Sequence, residues 1–173
     1  KSFTRMSIQE LFIKELNIDI LDYLDPKKLR TLIEKEFQDV PLPKQDLAWD
    51  DYYFLLFLNK LEPKLEKYPA IILYELPAPL SALSTIKESD PRVCERFEVY
   101  CNGIEIANCY NELTDHDEQK KRFNEQAKLK SELYSYELPD PSEFYESMQR
   151  GLPKSSGIAL GVAILIIVMS VMN

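Results

Sequence analysis

The residues best placed to do chemistry surround one dipeptide, Asn102-Gly103, the pair that most readily adopts the left-handed conformations of a type I′ turn. The segments Val93 to Cys101 and Ile104 to Glu112 flank it as the two strands of a hairpin. A two-residue turn sets Tyr100 opposite Glu105 and Glu98 opposite Ala107, which makes Glu98 and Glu105 diagonal neighbours on one face, about 7–8 Å apart. Carboxylates this close repel each other unless a cation, a proton or a basic residue lies between them. A hard divalent ion such as magnesium, carrying a nucleotide phosphate, suits oxygen ligands of this kind. The same pattern also describes a solvated sheet face with Arg96 as counter-ion, and pattern alone favours that plainer reading. Asn108, Tyr110 and Glu112 have the parity opposite to Glu105, so a regular strand points them to the other face. A bulge between Glu105 and Asn108 reunites the two sets. Reunited, they offer an amide, an aromatic wall and a carboxylate, a cage in which a buried glutamate holds a substrate amine by a charge-assisted hydrogen bond.

Elements on either side must hold that hairpin in place. Ser7 to Leu16 carries Ile8, Leu11, Phe12 and Glu15 at helical spacing, with apolar residues on one face. Asp25-Pro26 reads as an N-cap followed by proline in the first turn, opening a helix whose buried stripe is Leu29, Leu32, Ile33 and Phe37. Gln38 to Leu47 is a loop, and Asp50 to Leu61 a third helix packed on two sides, with Trp49 as a core anchor. After Pro69 the pattern becomes extended: Ala70 to Leu76 suits a buried strand, and Pro77, Pro79 and Ser81 mark the loop beyond it. Asp115 to Leu133 is a polar helix with Phe123 and Leu129 inward, and Ser142 to Arg150 a last short helix. The division expected is a helical region, 1–68, followed by a sheet region, 69–173.

Composition narrows the function classes. The 173 residues, 45% hydrophobic and 29% charged, fit one globular core. With 29 Asp+Glu against 21 Lys+Arg and a net charge of −8, the chain lacks the concentrated positive stripe that nucleic acid requires. Cys94, Cys101 and Cys109 form no CxxC pair and His116 is the single histidine, so the pattern supports small buried thiols rather than zinc or a disulfide framework. No signal peptide precedes Lys1, where an N-terminal portion can be missing, and small buried thiols suit a reducing compartment, so the cytoplasm is the expected location. The 19 residues from Ser155 to Asn173 carry no ionisable side chain, long enough to raise a membrane span. They lack the flanking basic cluster and aromatic belt of a span, so a buried strand and helix is the favoured reading, with a C-terminal anchor as its rival.

Two runs of sequence carry a family resemblance. ERFEVYCNGIEIANCYNELTD, Glu95 to Asp115, resembles the signature strand pair of class II lysyl-tRNA synthetases, and GLPKSSGIALGV, Gly151 to Val162, resembles the glycine-rich third motif of that superfamily. ELTD where those synthetases usually read ELND, and SGIALG where they read SGIGLG, bring the chain closer to the elongation factor P–lysine ligases, paralogues of the lysyl-tRNA synthetases. The resemblance implies an α+β fold: an antiparallel sheet with flanking helices, forming the C-terminal half of a class II synthetase catalytic domain. It implies ATP-dependent activation of lysine or (R)-β-lysine as an adenylate and transfer to a lysine amine of elongation factor P, with no nucleic acid involved. Carried over residue by residue, Glu98 and Glu105 hold magnesium and ATP, Gly157 and Gly161 let backbone approach the adenylate, and Asn108, Tyr110 and Glu112 bind lysine, with Ala159 shaping the pocket wall.

The departures bear on activity. The first motif, with its dimer interface, and the second, with its α-phosphate arginine, are absent from these 173 residues. The third motif, usually GVDRL, reads GVAIL from Gly161 to Leu165, so Ile164 stands where the γ-phosphate arginine is expected. Losing such positive charge removes much of the electrostatic stabilisation on which adenylate chemistry depends. The resemblance therefore implies a chain inactive alone: either a truncated, decaying ligase, or a half-domain that works with a separate N-terminal half or a homodimer partner. The competing readings are a non-catalytic module that binds lysine or a protein, tethered by its tail, and a fragment of an ordinary lysyl-tRNA synthetase.

Overall fold

The computed structural model describes residues 3–134 and 139–171. The chain opens with a short strand, β1 (Thr4–Ser7), that runs directly into helix α1 (Ile8–Leu16). Ser7 closes a capping box: its hydroxyl accepts from the Glu10 amide at 3.1 Å, and the Glu10 carboxylate accepts from the Ser7 amide at 2.7 Å. Asn17 ends the helix in the left-handed conformation (φ 58°). Helix α2 (Pro26–Glu36) starts as its sequence dictates, with Asp25 accepting from the Lys28 amide at 3.0 Å and Pro26 in the first turn.

Helix α3 (Trp49–Lys60) buries Trp49, Tyr52, Tyr53, Leu56 and Phe57 along one stripe. Phe54 and Leu58 are exposed, so the helix packs on one side and not on two as its apolar composition suggested. Trp49 is the anchor expected of it: its indole donates to the Tyr23 carbonyl at 2.7 Å and its ring stacks on Tyr53 with centroids 5.3 Å apart. A one-turn helix, α4 (Glu62–Leu65), leads into strand β2 (Ile71–Pro77).

Strands β3 (Val93–Cys101) and β4 (Ile104–Asn111) form the hairpin around Asn102 (φ 47°) and Gly103 (φ 82°), both with the positive φ that a type I′ turn demands. Helices α5 (His116–Tyr134) and α6 (Ser142–Gln149) then precede strand β5 (Ser156–Leu160) and helix α7 (Val162–Val171). Among the described residues the strands make one sheet in the order β1-β2-β3-β4-β5. β2 to β5 pair antiparallel, as expected, while β1, which the sequence did not reveal, joins the edge in parallel to β2.

Register decides where the core and the open surface lie. Thr4 pairs with Ile71 and Met6 with Leu73, Ile71 with Tyr100 and Leu73 with Glu98, so these side chains share one face. Met6, Ile71, Leu73 and Tyr100 are buried in a core shared with α1, α2 and α3. Helices thus cover the β1–β3 part of that face, and it opens toward β4 and β5.

Two further expectations about burial are corrected. Leu129 on α5 is exposed and only Phe123 turns partly inward, contacting Phe144 of α6 at 5.3 Å between ring centroids. The apolar tail forms the strand and helix foreseen, yet it is not buried: Ile158, Val162, Ile166 and Ile167 are each about 60% exposed, and among residues 162–170 of α7 only Val168 is buried. β5 is the sheet edge, and no described element of this chain packs over its outer side chains. At ten residues, α7 spans about 15 Å, half the thickness of a bilayer core. No described helix is long and apolar enough to cross a membrane.

The turn that fixes the hairpin also touches the helical region. A Cβ on Gly103 would lie 3.0 Å from Glu66 Cγ and 3.3 Å from the Glu66 amide nitrogen. Gly103→Ala is therefore expected to lower stability by about 1–3 kcal/mol, from positive φ and crowding together. Urea denaturation checks this, and an unshifted midpoint would mean the turn rebuilds without cost.

Candidate functional site

The hairpin contains the bulge on which a single site depends. Tyr100 pairs with Glu105 and Val99 with Ala107, which leaves Ile106 as the extra residue of β4. Beyond it Glu98 faces Asn108, not Ala107 as an unbulged strand would have it, and Arg96 faces Tyr110. Glu98, Tyr100, Glu105, Asn108 and Tyr110 consequently share one face. Glu112 follows at the end of the strand, where its amide donates to the Ser155 carbonyl at 3.0 Å and its backbone bridges to Ser84.

The partner strand completes the surface. Ala159 lies opposite Asn108 and Gly157 opposite Tyr110. A Cβ on Gly157 would collide with a carboxylate oxygen of Glu112 and come within 3.4 Å of its carboxyl carbon, so only glycine leaves that side chain its present position. Gly161 stands at the junction of β5 and α7: its amide donates to the Ile106 carbonyl at 2.9 Å, pinning the tail to the bulge, and its carbonyl accepts from Leu165 at 2.8 Å. Ile164, in the first turn of α7, folds back on Gly161, and its half-exposed side chain brings no charge to that end of the site.

Charge is distributed unevenly across the face. Glu98 is 9% exposed and both of its oxygens are engaged, one by the Arg96 guanidinium at 2.7 Å and the other by the Tyr100 hydroxyl at 2.9 Å. Arg96 is thus the counter-ion that the plainer reading of the pattern named. Burial, then the Glu98 carboxylate, push the Tyr100 phenol far above its ordinary range and keep it a hydrogen-bond donor. Glu105 is open to water on one side. Desolvation on its sheet side, followed by the Glu98 charge, raises its pKa above 4.5, and Arg96 opposes that shift.

Glu98 and Glu105 are a two-carboxylate pair, and the described residues hold no group of three or more acidic, His or Cys side chains arranged for a metal. As a set of two carboxylates it would suit magnesium rather than zinc or calcium, because magnesium keeps several waters and takes one or two carboxylates with phosphate oxygens, although Glu98 would have to share oxygens already engaged by Arg96 and Tyr100. Cys94 and Cys109 are buried, Cys101 is half-buried, and burial raises all three thiols, the opposite of the lowered pKa that marks a reactive cysteine. Tyr100 is the contributor that sequence reasoning passed over, although its parity with Glu98 was readable. A separate recess of about 1120 Å³, between the 78–86 connection and helices α5 and α6, includes none of these residues.

Comparison with known proteins adds family information. The family described as class II tRNA synthetases (D, K and N) matches residues 1–173. An elongation factor P–(R)-β-lysine ligase of Pectobacterium atrosepticum is 36% identical over 167 residues, which is 96% of this chain and 50% of that protein. Ligases of the same name from Yersinia enterocolitica and Proteus mirabilis are each 36% identical over 162 residues, 93% of this chain and 49% of theirs. The chain spans about half the length of these curated relatives.

Two measurements probe the site directly. A folded-state pKa raised above the unfolded value makes ionised Glu105 a liability that is absent below the carboxylate range and sets in as pH rises through the raised pKa. Glu105→Gln should therefore melt higher than the parent at pH 7, with the gap closing as pH falls toward 4.5; a constant gap would assign the effect to something other than ionisation. Gly157→Ala should move the Glu112 carboxylate while leaving the hairpin amide shifts in place, as NMR would show.

Proposed function

The chain belongs to the class II tRNA synthetase family, in its D, K and N branch, and on that premise we propose that it carries the amino-acid half of a ligase that activates lysine or (R)-β-lysine with ATP for transfer to elongation factor P. The observation that carries this reading is the single sheet face that gathers Glu98, Glu105, Asn108 and Tyr110 beside Gly157 and Ala159, with the Glu112 carboxylate lying against Gly157. On this reading Glu112 accepts a hydrogen bond from the substrate ammonium, Tyr110 walls the alkyl chain, Asn108 orients the polar end and Ala159 sets the depth of the pocket. The glycines at 157 and 161 would admit the adenylate to the backbone once the Glu112 and Ile164 side chains that lie over them move aside. Glu98 and Glu105 would hold magnesium, which when bound offsets the negative charge of the ATP phosphates. A net charge of −8 favours approach of a cationic amino acid.

The reaction proposed for the whole ligase has two displacements. A carboxylate oxygen of lysine attacks the α-phosphorus of ATP and pyrophosphate leaves; a lysine amine of elongation factor P then attacks the acyl carbon, loses a proton and releases AMP. For the first step this chain supplies the hold on lysine, while the cationic grip on the phosphates belongs to residues it does not carry. Ala163 and Ile164 stand where the third motif of the resembled family places Asp and Arg, so the chain on its own binds lysine and forms no adenylate. An N-terminal half, on the same or a separate polypeptide, would supply the α-phosphate arginine of the second motif but not the charge that Ile164 replaces, so any restored reaction would have to proceed without it. The apolar substitution at Ile164 also favours a second reading, a lysine-binding module with no catalytic role.

Calorimetry and exchange kinetics test both. The chain is expected to bind lysine, to lose about tenfold to a hundredfold in affinity on Glu112→Ala through the missing charged hydrogen bond, and to show no lysine-dependent ATP–pyrophosphate exchange. Exchange by the purified chain would overturn the claim of inactivity. Unchanged lysine affinity in the Glu112 variant would remove that residue from the site, and restored exchange on adding an N-terminal half would exclude the purely binding role.

A further inference from the structure

We infer that Arg96 is the positioning residue of this site, the side chain that fixes how Glu98, Asn108 and Tyr110 are presented to a ligand; the inference rests on the lysine-binding reading above. Arg96 lies on β3 on the same face as Glu98 and Tyr110, with its side chain 12% exposed. Each part of its planar fork has a separate partner. Nη2 meets Glu98 Oε1 at 2.7 Å, Nε donates to Asn108 Oδ1 at 3.1 Å, and Nη1 donates to the Leu80 carbonyl at 2.9 Å. The guanidinium carbon also sits 5.1 Å from the centre of the Tyr110 ring, over its face.

Three of these four partners are residues proposed to touch the ligand or its metal, and the fourth belongs to the short turn Ala78–Leu80 that follows β2. With its oxygen bound to Arg96, the Asn108 amide is turned so that its nitrogen, a donor, is the group free to meet a ligand acceptor. With one oxygen on Arg96 and one on Tyr100, the Glu98 carboxylate cannot rotate. A point charge could neutralise Glu98, but only a planar fork reaches Glu98, Asn108 and the Leu80 carbonyl at once. Arg96 therefore acts through these neighbours and not on the reacting atoms.

The test uses this chain, with L-lysine as the titrant. Arg96→Lys keeps the charge and loses the fork; lysine affinity should fall by about tenfold or more while the melting temperature stays near the parent's and the Asn108 side-chain amide resonances move. Glu98→Gln supplies a second background, in which Arg96→Met leaves no unpaired buried carboxylate. The double variant should bind lysine about tenfold more weakly than Glu98→Gln alone. Lysine affinity equal to the parent's in Arg96→Lys, or equal in the two Glu98→Gln proteins, would overturn the inference and leave the lysine-binding reading intact. A loss of affinity that merely tracks a lower melting temperature would make Arg96 structural and overturn it as well. Absence of lysine binding in the parent chain would overturn the reading itself, and the inference with it.

Discussion

Side chains on a strand alternate faces with a period of two, and that constraint governs everything this sheet can assemble. Glu105 and Asn108 are three residues apart, so a regular β4 would send one toward the helices and the other away. Ile106, inserted without a partner, absorbs the odd count and brings Glu105, Asn108 and Tyr110 to the side occupied by Glu98. The bulge also offers the carbonyl to which Gly161 is tied, so one extra residue sets both the composition of the face and the anchorage of the tail. Bulges often re-aim side chains beside functional sites.

The helical region makes this face possible by closing only part of it. Tyr53 and its aromatic neighbours Trp49 and Phe57 belong to the same buried core as Leu73 and Tyr100, and Glu98 stands where that core gives way to the open part of the face. Such a boundary is where a carboxylate has strong electrostatic reach without being trapped as an unpaired buried charge. Arg96 supplies the compensating cation there. Two arginines grip the connection between β2 and β3 from different elements: Arg96 at the Leu80 carbonyl, and Arg122 of α5 at the carbonyls of Ala82 and Ser84, each at 2.9 Å. Ala82 has φ 46°, a conformation that a non-glycine residue keeps only when its surroundings hold it.

Much of this was legible from residue order. Asn102-Gly103 announced the hairpin, Asp25-Pro26 the start of α2, and the motif around Glu98 the family, because each signal is local and has a local physical cause. The bulge was readable as one option and the unbulged pairing as another, since nothing in the one-dimensional pattern separates them; Gly161 and the pairing with β5 do. β1 escaped notice because four residues containing Thr4 and Arg5 carry no alternation worth reading. The burial of α3, Leu129 and the tail was misjudged for a shared reason. An apolar residue states a preference for cover, whereas cover itself depends on what other elements stand nearby, and β5 and α7 have little beside them in this chain.

The buried core runs from Met6 to Tyr100, while the residues after β4 contribute few buried side chains. Resistance to local opening should follow the same gradient, with amides of β2 and β3 exchanging only on global unfolding and those of β5 and α7 exchanging through small openings. The site straddles that gradient, with Glu98 on its rigid side and Gly157 and Ala159 on its labile one. A ligand that touches both would tie the loose strand to the firm one, so its binding energy would appear chiefly as slowed hydrogen exchange along β5, at amides it never contacts.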